Sequence, residues 1–443
     1  MSNNKLASEF TFPKLFLFSL PSIIMMIFMS LYTIVDGFFI SRYVGADALS
    51  STNIVYPLSS TILAIGVMFA SGGSAIVARQ MGEGHPKDAN RSFTLFTISA
   101  LVLGTVFSAV CLIFMDPILE FLGARGSLIQ PSREYLGILL LFSIPFILQI
   151  LFQTFFVTAG WPKLGLILTV LGGFANMFFD YFLIVVCHMG IRGAAIGTAM
   201  SYCIPAVGGL IFFFCNRKGL HFTVPSRSMA LVLESCSNGS SEMVTNLSAS
   251  VTTLLFNLAM LKLAGPDGVA AITAVLYFQF SMTSFYIGFS MGVAPVVSYH
   301  FGAQNTPFLR KTLKNCILFI LAISVFIFIA SIAVSDMTSA IFFPDAPHVR
   351  ELAAHGLRLF SSSFLFAGIN IFGSAFFTAL GNGKTSATIS FSRTFFFTTV
   401  GIIAMAYLWG LDGLWMAVPF AELVTALFVV WLSKSLKNDY GLL

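Results

Sequence analysis

Apolar residues run in long, nearly unbroken stretches along the whole chain, separated by short polar breaks. Hydropathy divides it into twelve stretches, at about 13–41, 51–78, 93–115, 135–158, 164–187, 193–215, 233–261, 268–299, 315–343, 352–380, 385–409 and 413–433. Each is longer than the roughly 18 residues that carry an α-helix across the hydrocarbon layer of a bilayer. The pattern predicts an all-α integral membrane protein with twelve transmembrane helices, since a helix satisfies its own backbone where water is absent.

The sequence also repeats. YVGADALSSTNIVYPL, starting at Tyr43, returns as LAGPDGVAAITAVLYF from Leu263; ASGGSAIVARQMG, ending at Gly82, returns as SMGVAPVVSYHFG, ending at Gly302; FFVTAGWPK, ending at Lys163, returns as FFTALGNGK, ending at Lys384. All three pairs are 220 or 221 residues apart. Each unit therefore holds six spans, and an even number leaves both units in the same orientation. Two six-helix lobes related by a pseudo-two-fold axis along the membrane normal follow, with a cleft between them. The expected division is a first lobe at 1–215, a basic cytoplasmic linker at 216–232 and a second lobe at 233–443.

Composition narrows the function. With 57% hydrophobic and 9% charged residues and a mean hydropathy of +0.91, almost nothing remains for a soluble domain. The first apolar stretch carries an acid and is too long for a signal peptide, so it reads as a retained helix. The six cysteines and six histidines are scattered without metal spacing, and no GxxxxGK[ST] phosphate loop occurs. No cofactor, metal site or nucleic-acid partner is expected. With both termini inside, sixteen lysines and arginines, Lys218 and Lys437 among them, fall at cytoplasmic ends and seven outside. That is the sign the positive-inside rule requires of a multi-pass cell-membrane protein with both termini cytoplasmic.

The few polar groups inside spans carry the chemistry. Asp36 sits within PSIIMMIFMSLYTIVDGFFISRYVG, where a carboxylate costs roughly 2.5 to 3.5 kcal/mol on insertion scales. Read alone it could be wetted at the interface near Arg42. Span five adds Asn176 and Asp180, one helical turn apart on one face, a spacing that by itself could serve only as packing glue. At ~1.5 Å per residue, Asp36, Asp180 and Thr198 of span six all fall roughly 8 to 12 Å below the outer surface. Two carboxylates so placed cannot both remain ionised cheaply, which suits a proton or a small hard cation such as Na⁺ as ligand. The repeat acts as a control: Asp36 matches Phe256 or Asn257 and Asp180 matches Val400 or Gly401. The acids are absent from the second lobe, so the fold alone does not demand them. Pro21, on the helix that carries Asp36, is the expected hinge. Arg393 of span eleven and Glu422 of span twelve fall at similar depths, ~13 and ~16 Å from the inner surface, and are expected to form a buried structural ion pair.

These residues resemble the multidrug and toxic compound extrusion (MATE) family over nearly the whole chain. The resemblance rests on IVDGFFISRYVG in span one, ASGGSAIVARQMG at the end of span two, the AGWPK and LGNGK turns and the N-x-x-x-D of span five. SNGSSEMVTNLS in span seven is similar to the MepA-like bacterial branch. The family implies a monomeric secondary antiporter of the bacterial inner membrane, working by alternating access. It would export amphipathic, often cationic drugs or dyes in exchange for H⁺ or Na⁺, with Asp36, Asn176, Asp180 and Thr198 as the cation-coupling site. Fifty Phe and eighteen Met suit loose recognition of flat cations, although most of those rings pack between helices or face lipid. Members with a second-lobe site carry an acid in span ten, where this chain offers only Asn370. Glu242 falls several residues before the span-seven acid of those members and reads as a polar residue near the cytoplasmic end. A lipid-linked-sugar flippase is the alternative; an intramembrane enzyme using Asp36 and Asp180 as a dyad is more distant.

Overall fold

The computed structural model of the chain describes residues 5–8, 10–217 and 219–435, and among them every regular element is a helix. Lys218, Lys437 and both chain ends lie outside the described residues. Among the described residues nine helices are long and apolar enough to cross a bilayer, and a bent pair at 126–141 and 143–158 supplies another crossing. Two of the nine are double. The 229–302 helix reverses at Gly265 (φ 67°, ψ −159°) and the 383–435 segment at Gly410 (φ 60°, ψ −129°). A side chain at either glycine would meet nothing within 4 Å, so the positive φ, and not crowding, calls for glycine there. The count therefore comes to twelve spans.

Where the spans depart from the hydropathy pattern, local chemistry explains it. Span four is not one rod: it breaks by 57° after Leu141. The Leu141 carbonyl is the one that residue 145 would have donated to, and residue 145 is proline, which has no N–H and crowds that carbonyl. Span nine starts at Thr306 instead of 315, because the Asn305 side chain accepts a hydrogen bond from the Phe308 N–H (3.2 Å) and the polar first turns simply project from the apolar layer. It ends at Ala333, and Ser335–Phe342 forms a separate short helix. Span seven starts at Met229, four residues earlier than 233, capped by Ser228 accepting from the Leu231 N–H.

Two large apolar cores form. One draws on residues 40–220 around Phe93, Phe152, Phe155, Phe156 and Phe213; the other centres on Tyr286, Phe289, Phe360, Phe364 and Trp415. Span one straddles them. Leu15 and Ile23 belong to the second core, while Phe28 and Tyr32 pack against Gly173 of span five. The linker is fastened to the first core: Phe222 stacks on Phe93 (centroids 4.8 Å), the His221 N–H donates to Asn90 (3.1 Å) and the Thr223 N–H donates to Thr94 (3.1 Å).

The halves meet most closely at the end of the bundle that holds this linker. Added at Gly72, a Cβ would strike the Ser235 carbonyl; at Gly239, the Met68 carbonyl; at Gly82, the Tyr299 carbonyl; at Gly302, the Arg79 carbonyl. Spans two, seven and eight thus touch backbone to backbone, the close approach that small residues permit between membrane helices. Arg79 adds a half-exposed ion pair to Glu234 at 2.9 Å, whose contribution at such exposure is small. The Oγ atoms of Ser60 and Ser250, 3.3 Å apart, continue the contact toward the far end. Gly239→Ala should therefore overpack the seam by about 1 to 3 kcal/mol. The expected readout is a lower thermal unfolding midpoint in detergent; an unchanged midpoint would mean that the glycine contact is not close in the folded protein.

Candidate functional site

Asp36 stands one turn before span one changes from an α-helix (Phe12–Phe39) to a π-helix (Ile40–Val44). Asp180 is the last α-helical residue before a second π-helix, Tyr181–Val186. A third, Ser392–Phe397, contains Arg393. Every π-helix among the described residues thus adjoins or contains one of the charged groups singled out from the sequence. Widening a helical turn leaves a backbone carbonyl underused and redirects side chains, which is why such turns recur at functional sites. At Arg393 the freed carbonyl is taken by the Thr398 hydroxyl at 2.7 Å.

The first-lobe residues converge. Asp180, Asn176 and Thr198 are buried and Asp36 is half-buried. The carboxyl groups of Asp36 and Asp180 approach closely enough to interact directly. Five of the oxygens brought together here, Asp36 Oδ1, both Asp180 oxygens, Asn176 Oδ1 and Thr198 Oγ1, have no hydrogen-bond partner. Buried acceptors without donors are costly, by roughly 1 to 3 kcal/mol each. An all-oxygen cluster of this kind answers to a proton or a hard cation. Span six packs so tightly on Asp180 that Gly197 has no room for a Cβ, which would collide with Asp180 Oδ1.

Four residues absent from the sequence reading complete the surroundings. Tyr135 lies beside Thr198, Tyr32 lies beside Gln149, and Tyr202 shares the electrostatic environment of both acids. Tyr32 was findable, being one turn before Asp36 on the same face. Tyr135, Tyr202 and Gln149 come from other spans and carry no local signal. On the opposite side, Tyr277 of span eight is close to Asp36 and to Tyr56 of span two. Asp36 therefore looks both into its own lobe and across to the second.

In the second lobe, Arg393 Nη2 is 2.8 Å from Glu422 Oε1, and its Nε is 2.9 and 3.1 Å from the two carboxylate oxygens. The Asn370 amide donates to Glu422 Oε2 at 2.6 Å and to the Glu422 carbonyl at 2.8 Å. Asn370 is thus a ligand of this ion pair. Pro21 is buried in span one, which continues as a helix through it; the Leu17 carbonyl, four residues earlier, loses its donor there.

Two measurements follow. Gly197→Ala should displace the Asp180 carboxyl and remove activity while the protein still inserts, an overpacking of about 1 to 3 kcal/mol; full activity with normal yield would show that the Asp180 position is not constrained. Removing one partner of a pair as buried as Arg393 and Glu422 should cost about 3 to 5 kcal/mol, and the double change to apolar residues should recover much of it. Additive losses in that double-mutant cycle would show the two groups acting independently.

Known proteins place the chain. The MatE family profile matches twice, at residues 21–182 and 243–403, so the profile finds the same internal duplication as the sequence repeats. Multidrug export protein MepA of Staphylococcus haemolyticus (strain JCSC1435) is 27% identical over 431 residues, covering 95% of this chain and 93% of its own. A crystal structure of MATE in the straight conformation superposes with a TM-score of 0.90 at 19% identity, covering 96% of both chains. An outward-facing multidrug resistance MATE family transporter of the MOP superfamily gives 0.88 at 20% identity, covering 97% of this chain and 96% of its own. With the profile matching most of the chain in two copies, the protein belongs to the MatE family, that of the multidrug and toxic compound extrusion proteins.

Proposed function

We propose that this protein is a multidrug efflux antiporter of the cell membrane that exports amphipathic, cationic organic compounds in exchange for an inward-moving ion. The coupling ion is H⁺ by preference, with Na⁺ as the alternative that the same oxygens would accept. Asp36, Asn176, Asp180 and Thr198 form the coupling site, in a monomer whose termini and linker face the cytoplasm. The work is transport, not catalysis. What supports this most directly is the cluster of buried, unpartnered oxygens around two facing carboxyls, set in the lobe that lies against the cleft. The export named for the MepA relatives points the same way.

The mechanism follows from charge and packing. A ligand shifts a two-state equilibrium only by its differential affinity for the two states. Protonating the pair removes a charge from a low-dielectric site and changes which groups Asn176 and Thr198 can bond. Span one transmits the change, because it touches Gly173 of span five at Phe28 and Tyr32, and Gly288 and Gly292 of span eight at Ile23 and Ser19. Pro21, between those last two contacts, is where it bends. The close glycine seam at the linker end would keep the cytoplasmic side shut. Arg393 and Glu422 hold spans eleven and twelve together as a structural pair. The cargo meets Met29, Met291, Tyr56 and Tyr277, soft or aromatic side chains at the boundary of the lobes.

In a drug-sensitive host, expression should raise resistance to dyes such as ethidium; no change across a broad panel would count heavily against the reading. Asp36→Asn and Asp180→Asn should each leave a folded membrane protein with efflux at the level of the empty vector. Proteoliposomes given only a pH gradient, or only a Na⁺ gradient, identify the ion. Undiminished gradient-driven efflux by both variants would refute the assignment.

A further inference from the structure

The linker does more than join the lobes, because it encloses a cavity with the helix ends it passes. A space of about 420 Å³ lies between the end of span two at Gln80, the start of span three at Asp88 and Arg91, the last linker residues from Val224 to Arg227, and Leu231 of span seven. That volume is in the range of small-ligand sites. Its walls are tied together: the Ser226 N–H donates to the Arg91 carbonyl (3.2 Å), and Ser228, two residues on, caps span seven by accepting from the Leu231 N–H (3.4 Å). Gln80 comes two residues before Gly82 of the glycine seam. First-lobe and second-lobe elements therefore share one cavity.

Its charge is unbalanced. Arg91, Arg227 and Asp88 are the charged residues of the lining, two positive against one negative, which leaves one positive charge in excess. Arg91 Nη1 is 4.0 Å from Asp88 Oδ1, at the limit of an ion pair and with both side chains exposed, so the contact holds Arg91 weakly. Arg227 forms no ion pair among the described residues, whereas Arg79, next to Gln80 in the chain, is taken by Glu234 at 2.9 Å. Guanidinium groups of this kind match the oxygens of a phosphate. The excess of one selects a singly charged phosphodiester. A zwitterionic headgroup would leave the excess uncancelled, and a phosphomonoester, close to a dianion at neutral pH, would set a second negative charge beside Asp88.

The flanks of the cavity are apolar. Val224 of the linker, and Met229 and Leu233 on either side of Leu231 in span seven, are exposed. On span three Arg91 begins an exposed stripe that Ile98 and Val102 continue, seven and eleven residues on and within about 20° of Arg91 around the helix. Those two residues lie ~10 and ~16 Å further along the axis, so the stripe leads from the cavity into the hydrocarbon layer. A lipid with its headgroup in the cavity and its acyl chains on these flanks uses both surfaces. A soluble anion uses only the first.

We propose that this cavity seats the headgroup of an anionic phospholipid of the phosphatidylglycerol class, in the leaflet at the linker end. Its phosphodiester lies between Arg91 and Arg227, a headgroup hydroxyl donates to Asp88, and the acyl chains follow Val102 and Leu233. Because the walls come from both lobes and the linker, the bound lipid strengthens the glycine seam beside it. This goes beyond the efflux reading and does not depend on it.

The test is thermal unfolding of the purified full-length protein in dodecyl maltoside with added palmitoyl-oleoyl phosphatidylglycerol, the matching phosphatidylethanolamine, or sn-glycerol 3-phosphate. Phosphatidylglycerol should raise the midpoint by about 2 to 5 °C, and the other two should leave it unchanged. In the Arg91→Gln/Arg227→Gln double variant that shift should fall by half or more. The Arg91→Lys/Arg227→Lys variant, which keeps the charge, should retain more of it. An equal shift with phosphatidylethanolamine would reveal general solvation by lipid, and an equal shift with glycerol phosphate a soluble-anion site; either overturns the proposal. So does an undiminished phosphatidylglycerol shift in the glutamine variant, or no shift in the wild type. Should the glutamine variant fail to fold, the three wild-type arms decide by themselves.

Discussion

Ionised side chains inside the hydrocarbon layer are expensive enough that each one kept there dictates its neighbourhood. This chain keeps very few, and its two lobes solve the problem in different ways. In the second lobe Glu422 is answered by the Arg393 guanidinium of the neighbouring span and by the Asn370 amide. In the first lobe Asp36 and Asp180 face each other with no cation supplied by the protein, and the oxygens around them lack donors. A fixed counterion makes a strut; its absence is what the proposed function uses as a place for an exchangeable ion. The same fold, duplicated, has been given one of each.

Much of this was visible in the chain as written. Long apolar runs fix helices in a bilayer because nothing else satisfies the backbone, and the three repeated segments at a spacing of 220 or 221 residues reveal the duplication directly. Isolated polar residues in such runs are conspicuous, which is why Asp36, Asp180, Arg393 and Glu422 could be picked out. Their lateral neighbours could not. Tyr135, Tyr202 and Gln149 look unremarkable in sequence, and only the packing of spans four and six beside span one makes them part of the site. The break in span four and the early start of span nine also escaped hydropathy. A proline acts on a carbonyl four residues back, and a capping asparagine extends a helix into polar sequence; an averaging window sees neither.

Glycine sets how far the halves can close. Gly72, Gly82, Gly239 and Gly302 bring spans two, seven and eight into backbone contact, and Gly82 and Gly302 are themselves repeat partners 220 residues apart. Such a seam gains from dispersion and shape, with one half-exposed ion pair beside it and the Ser60–Ser250 hydroxyl contact beyond. Leu231, Val232, Cys236 and Met243 of span seven pack against the first core beside these glycine contacts, so parting the seam in the proposed cycle would also expose apolar side chains.

In the proposed antiport, span one is the element that would turn local chemistry into lobe motion. Its first half belongs to the second core and its second half to the first, so any change in its curvature moves one lobe against the other. The Leu17 carbonyl, deprived of its donor by Pro21, makes bending cheap in the first half. The π-helical turns just beyond Asp36 and Asp180 make the backbone adjustable in the second. If both acids are ionised, repulsion in a low dielectric pushes spans one and five apart; with a proton or cation shared between them, the helices can close on Tyr135 and Tyr202. Pro21 lies between Leu15 and Ile23, within the part of span one that packs on the second core, while Phe28 and Tyr32 tie the same helix to span five. In the proposed antiport, occupancy of the first-lobe site would be relayed along span one to Ile23, against Gly288 of span eight, and across Pro21 to Ser19, against Gly292, and that link would let an ion bound in one lobe bias the cleft between the two.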